Sequence, residues 1–168
     1  MKTKIVLAFI VFAFSLQGCK KSNGTSSCTP VNPNVSVSAT QLTALQEYLA
    51  STGQIASAVR HSTDFYYKIE TEGSGITPTT CSNVTVTYRG TLTNGTAFTT
   101  PGELTNPNTF SLGGLITGWQ YGLQLLKKGG KITLYLPPAH GYGASPNGSI
   151  PGNSILIFEI SLLDVTNG

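Results

Sequence analysis

The chain has 168 residues, the length of one domain with room for appendages. Its hydrophobic share of 39% suffices for a packed core, while 19 Gly and 9 Pro point to many turns rather than to disorder. Only 10% of residues are charged, which leaves no charged tail or coiled coil, and without Lys2 and Lys4 eight basic face seven acidic residues. Such a balance gives no electrostatic case for nucleic acid or for an acidic partner.

In chain order, Met1–Gly18 reads as a secretory leader: Lys2 and Lys4, the apolar run Ile5–Phe14, then Ser15-Leu16-Gln17-Gly18-Cys19. That run is too short to cross ~30 Å of hydrocarbon at about 1.5 Å per residue. Leu16-Gln17-Gly18-Cys19 is similar to a bacterial lipobox, which predicts a lipidated Cys19 after cleavage. Each buried methylene of an acyl chain contributes about 0.8 kcal/mol, so a multiply acylated Cys19 would stay anchored. The expected location is the bacterial cell envelope, lipid-anchored and facing the periplasm; the other reading is an ordinary cleaved leader with an incidental cysteine. Lys20–Asn34 is rich in Ser, Asn, Thr and Pro and reads as a flexible tether. With Cys19 lipidated, two cysteines remain in an oxidising compartment, and a Cys28–Cys81 disulfide would pin the tether to the globular part. Two unpaired thiols are the alternative.

Ala39–Thr52 carries Leu42, Leu45 and Leu49 at helical spacing, with Ser38 placed to cap and Gly53 to stop. A dimerisation arm, or a lever for substrates, is one use for such a helix. Packing of its leucine stripe on the main domain is the other, and for one short helix the better supported. Asp64–Thr71 alternates as an edge strand, and Asn83–Leu92 alternates Val84, Val86 and Tyr88 with polar residues as a half-buried one. Thr93-Asn94-Gly95-Thr96 is a hairpin signal. Thr117–Lys128, ending at Gly129-Gly130, predicts a second helix, and Lys131–Leu136 and Ser154–Val165 two more strands. The expected class is α+β, an antiparallel sheet wrapped around one short helix, preceded by an N-terminal helix and the tether.

Other chemistries find no support. His61 and His140 have no Cys, Asp or Glu at metal-ligand spacing, so no metal is expected. Leu125 stands where a phosphate-binding loop ending at Gly130 would need Gly, and Ser154 lacks the Gly-x-Ser-x-Gly setting of a serine hydrolase. No cofactor is implied.

Tyr88, Phe98, Phe110, Ile116, Trp119, Tyr142, Ile150 and Phe158 recur at intervals that no local periodicity explains. Their order, with the fragments YRGTL, NGTAF, LGGLITGW, KKGG, GYG and IPGNSILIFEISLL, resembles the FKBP-type peptidyl-prolyl cis/trans isomerases over nearly all of Val84–Val165. The resemblance implies rotation about X-Pro bonds of unfolded or exported proteins, with macrolides as a further ligand class. It places Trp119 as a floor beneath the proline ring and Tyr88, Phe110, Leu115, Ile116 and Phe158 as walls. Phe98 would close one side and Ile150 overhang the mouth, while the Ile116 amide and the Tyr142 hydroxyl would hold carbonyls flanking the proline. Where the family usually has Asp after the pocket Phe, this chain has Phe98-Thr99-Thr100. A threonine hydroxyl offers only a neutral hydrogen bond there. Glu103 could lean in as a substitute, though nothing in the sequence positions it. Two functions follow: an isomerase assisting folding of exported proteins, or a non-catalytic module that grips proline segments, with activity weakened by Thr99. The expected organisation is a leader over 1–18, lipidated Cys19 and tether over 19–38, helix and connection over 39–62, and an FKBP-type domain over 63–168.

Overall fold

A computed structural model describes residues 31–32 and 34–167. The leader, Cys19 and Cys28 fall outside these residues; Cys81 is disulfide-bonded. Among the described residues no helix is long and apolar enough to cross a membrane.

Helix α1 (Ala39–Ser51) starts where the Ser38 hydroxyl accepts from the Gln41 amide at 3.2 Å, and it stops before Gly53, whose φ of 72° suits glycine. Strand β1 (Val59–Arg60) turns back into β2 (Tyr66–Thr71). The second strand begins later than its alternation suggests, because Asp64 takes a left-handed φ of 68° in a turn clamped by an Arg60–Asp64 ion pair at 2.7 Å. Strand β1 covers only Tyr66 and Tyr67 of β2, so Lys68–Thr71 runs along the sheet's border as the edge its alternation suggests. Strand β3 (Ser82–Leu92) follows, then a short helix α2 (Pro101–Thr105), strand β4 (Asn108–Ser111), helix α3 (Thr117–Leu123), β5 (Lys131–Leu136) and β6 (Leu156–Asn167).

All six strands form one antiparallel sheet in the order β1-β2-β5-β6-β3-β4. The hairpin signal holds: the Gly95 amide donates to the Leu92 carbonyl and the Leu92 amide to that of Thr96, both at 2.9 Å. Helix α3 is shorter than Thr117–Lys128. Past Leu123 the backbone tightens, and the amides of Lys127 and Lys128 donate at 2.9 Å to the carbonyls of Glu72 and Ile76 instead of continuing the helix. Tertiary partners end it before its glycines do.

Alternation along β5 and β6 divides the core. Ile132, Leu134 and Leu136 with Leu156, Phe158, Ile160 and Leu162 face α3 and form the main core with Val84, Val86, Leu112, Trp119 and Leu123. Gly118 and Gly122 let α3 lie close on β5, because a Cβ at either would press into Leu136 or Leu134. Tyr66, Tyr135 and Ile157 face the other way and receive Leu45 and Leu49 of α1. Hydrogen bonds add to this outer layer, from Gln46 to the Tyr66 hydroxyl at 2.9 Å and from the Tyr135 hydroxyl to Gln54 at 3.2 Å. The leucine stripe of α1 is thus spent on the sheet's outer face, as the packing reading of that helix expects.

Candidate active site

The inner face opens between α3 and the ends of β3, β4 and β6. A cavity of about 180 Å³ is lined there by Tyr88, Phe110, Leu115, Ile116, Trp119, Tyr142 and Phe158. They come from separate parts of the chain: β3, β4, the turn before α3, α3 itself, the loop after β5, and β6. Trp119 is 4% exposed and meets three rings edge-to-face, with centroids at 5.0 Å to Tyr88, 5.2 Å to Phe158 and 6.4 Å to Phe110. Perpendicular contacts of this kind stabilise aromatic pairs beyond area burial and fix the ring planes. The turn that presents Leu115 and Ile116 is held by buried Gln120, whose side-chain amide donates to the carbonyls of Leu115 at 2.7 Å and Gly113 at 3.2 Å. Ile116 caps α3 with its carbonyl, which accepts from the Trp119 amide at 2.9 Å. Its own amide makes no hydrogen bond among the described residues.

Beside this apolar slot lies a more polar lobe of about 290 Å³, which shares Tyr88, Tyr142 and Phe158 with it and adds Phe98, Thr99, Glu103 and the loop around Asn147–Ile150. Phe98 stands edge-on to Phe158 at 5.4 Å, so it closes the far side of that wall rather than the slot itself. Gly90 on β3 makes this closure possible, since any Cβ there would land on the Phe98 ring. Ile150 sits deeper than an overhang. It is 6% exposed and belongs to the main core, and paired backbone hydrogen bonds with Asn147 at 2.9 Å leave Gly148 and Ser149 at the exposed tip. Tyr142, 38% exposed, is the aromatic residue at the mouth.

Thr99 does not reach toward a tyrosine. Its hydroxyl accepts from the Gly90 amide at 2.9 Å and so fastens the segment after Phe98 to β3. The carboxylate of the lobe comes from Glu103 in the first turn of α2. One oxygen accepts from the Tyr88 hydroxyl at 2.8 Å and the other from the Thr100 amide at 2.7 Å. Burial, and then the hydrogen bond to Glu103 and its charge, push the Tyr88 phenol far above its ordinary value of 10.0, so it remains a donor throughout the working range. Thr100-Pro101-Gly102-Glu103 fits the S/T-x-x-E helix-start pattern, a sequence signal that places Glu103 in a first turn. Gln120 has no such local signal.

No group of three or more His, Cys, Asp or Glu among the described residues could hold a metal ion. A larger depression, of about 600 Å³, lies beside α1 on the outer face and is lined by Lys68, Glu70, Lys131 and Glu159 among others. It shares no aromatic residue with the slot.

A family model described as FKBP-type peptidyl-prolyl cis-trans isomerase matches residues 75–163, which bracket every residue of the slot and the lobe. The chain belongs to this family. Among FKBP-type relatives, the FkpA peptidyl-prolyl cis-trans isomerase of Buchnera aphidicola subsp. Schizaphis graminum is 41% identical over 121 residues, covering 71% of this chain and 48% of the relative. A probable FKBP-type isomerase of Haemophilus influenzae is 48% identical over 100 residues, covering 59% and 42%. The crystal structure of FkpA from Escherichia coli superposes with a TM-score of 0.69 at 36% identity, over 77% of this chain and 61% of that one. A Pseudomonas syringae peptidyl-prolyl isomerase structure gives 0.66 at 28% identity, over 79% and 98%. The chain spans about half the length of the curated FkpA relatives it matches. The FKBP-type fold expected from the sequence is the one observed.

Proposed function

We propose that the chain is a peptidyl-prolyl cis/trans isomerase that assists the folding of exported proteins. The observation that carries this reading is the slot of about 180 Å³, floored by Trp119 and walled by aromatic and aliphatic groups. At its rim stand Tyr142 and the Ile116 amide, which has no hydrogen-bond partner among the described residues. Rotation about a peptide bond meets a barrier of ~18–20 kcal/mol because the nitrogen lone pair is shared with the carbonyl. For X-Pro both isomers are populated and unaided exchange takes tens to hundreds of seconds. No nucleophile or metal is needed to shorten this. The twisted amide carries less charge separation than the planar one, so a water-poor apolar slot favours it, and donors at the rim hold the flanking carbonyls.

In this reading the proline ring rests on Trp119 between Tyr88, Phe110, Leu115, Ile116 and Phe158, while Tyr142 and the Ile116 amide hold the chain on either side. Phe98, Thr99 and Ile150 bound the lobe that receives residues next to the proline. In the same reading a macrolide would lodge against these apolar walls. The family match and the pocket geometry support this assignment; for the anchor, the support is the Leu16-Gln17-Gly18-Cys19 pattern, which would tether the domain, with a Cys28–Cys81 bridge, to the envelope facing the periplasm. The test is acceleration of cis/trans exchange in an Ala-Leu-Pro-Phe peptide by the purified protein. Trp119→Ala and Tyr142→Phe should lower the rate, and no acceleration at micromolar protein would refute the reading in favour of a module that only grips proline segments.

A further inference from the structure

Tyr88 stands on the wall between the slot and the lobe, with a polar tip and a partner for it. Its ring is edge-on to Trp119 at 5.0 Å, and its hydroxyl ends 2.8 Å from Glu103. A half-buried phenol without an acceptor would leave its donor unsatisfied or turn out toward water, taking the wall with it. Glu103 is itself fixed at two points, because its second oxygen caps α2 through the Thr100 amide at 2.7 Å. The helix in turn leans on β3, and Thr99 ties the approach to it through the Gly90 amide at 2.9 Å. Position and orientation of the carboxylate are therefore both set by the Pro101–Thr105 helix, not by the residue that follows Phe98.

We propose that Glu103 is the positioning residue of this site: delivered by the first turn of α2, it holds Tyr88 in the slot wall and makes a carboxylate at position 99 unnecessary. The assignment rests on the isomerase reading for its effect on rate, but not for its effect on Tyr88. It also removes the reason to expect a weakened site. Thr99 and Glu103 divide between them the two jobs, backbone tie and acceptor for the tyrosine, that one aspartate after Phe98 could perform alone.

The experiment compares the purified wild type with Glu103→Gln, Glu103→Ala and the double variant Thr99→Asp/Glu103→Ala. Three readouts are taken: kcat/KM on a Leu-Pro peptide, the emission of Trp119 (the chain's one tryptophan), and the thermal midpoint. Glu103→Ala should lose roughly tenfold in kcat/KM, since hydrogen bonds to charged groups are worth that factor or more. Glu103→Gln, which keeps the shape and a neutral acceptor, should lose less. In the double variant the carboxylate introduced by Thr99→Asp should restore the rate and the emission without restoring the thermal midpoint, because the cap on Thr100 stays broken. A purely structural role would move rate and midpoint together. Glu103→Ala with wild-type rate and emission would overturn the proposal, as would a double variant as slow as Glu103→Ala. Should the wild type show no turnover, the isomerase reading fails; Trp119 emission that responds to Glu103→Ala then still supports the positioning, and unchanged emission in that variant sinks it.

Discussion

Leu49→Ala tests whether the two faces of the sheet are energetically separate. Leu49 is fully enclosed, between α1 and the outer-face residues Tyr66, Tyr135 and Ile157, and the sheet lies between it and Trp119. Truncation removes the isopropyl end of the side chain and leaves a void that the helix can close only in part. Costs for such buried leucines run from about 2 to about 5 kcal/mol. A surface-docked helix can settle toward the gap, so the expected loss is about 3 kcal/mol, a drop of roughly 10 °C in Tm for a domain of this size. Adding Leu45→Ala should cost less than a second full increment, because once α1 undocks as a unit no further contact is left to lose. Far-UV circular dichroism melts measure the loss, and peptide exchange at low temperature, where every variant is folded, measures the site. Stability within about 0.5 kcal/mol of wild type would mean that α1 is not held by its leucines. A fall of more than about threefold in kcat/KM, equivalent to roughly 0.7 kcal/mol, would mean that the outer layer props the slot.

Acid should weaken the fold through a pair of histidines. His140 is fully buried, its Nε2 donates to the Thr63 carbonyl, and its Nδ1 has no partner among the described residues. Burial lowers its pKa from 6.5 despite the Thr63 bond and Asp64, and His61 beside it is lowered by burial and by His140. The unfolded chain thus binds more protons, so stability is complete above the unfolded value and is lost as pH falls below it. Tm should hold from about pH 8 to about pH 7 and decline toward about pH 5, and a flat profile would contradict this. Gly90→Ala should cost about 2 kcal/mol in urea melts, because the new Cβ forces Phe98 off Phe158; a neutral result would mean the rings shift freely. Reduction should lower stability by roughly 3 kcal/mol if the partner of Cys81 is Cys28, and a peptide map without a Cys28–Cys81 crosslink would reject that pairing.

How far these features can be seen in the sequence depends on where the forces that set them lie. Strand β3 announces itself through Val84 and Val86, and α1 through its leucines, Ser38 and Gly53, because each signal is local and its burial follows from it. Strand β4 does not, since Asn-Thr-Phe-Ser offers four residues with one apolar side chain, and its pairing with Val84 and Val86 supplies the rest. The end of α3 is hidden for a similar reason: Glu72 and Ile76, far away in sequence, claim the amides that would have continued it. The slot draws on widely separated stretches, and only the resemblance to a known family assembles them beforehand. Glu103 sits between these cases. Its helix start is written in Thr100-x-x-Glu103, but its reach to Tyr88 depends on how α2 lands against β3.

The order of strands bears on the proposed handling of unfolded chains. The outermost strands are short, two residues in β1 and four in β4, and past β1 only Lys68–Thr71 of β2 reaches that border, while β6, the longest strand at twelve residues, is paired on both sides. Long unpaired borders are templates on which extended peptides, or neighbouring copies, add as further strands. A client brought to the slot, on the proposed function, would find only short stretches of bare backbone to zip onto, and copies crowded together equally short ones in one another. A chain so bordered could hold sticky partners at close range without joining them.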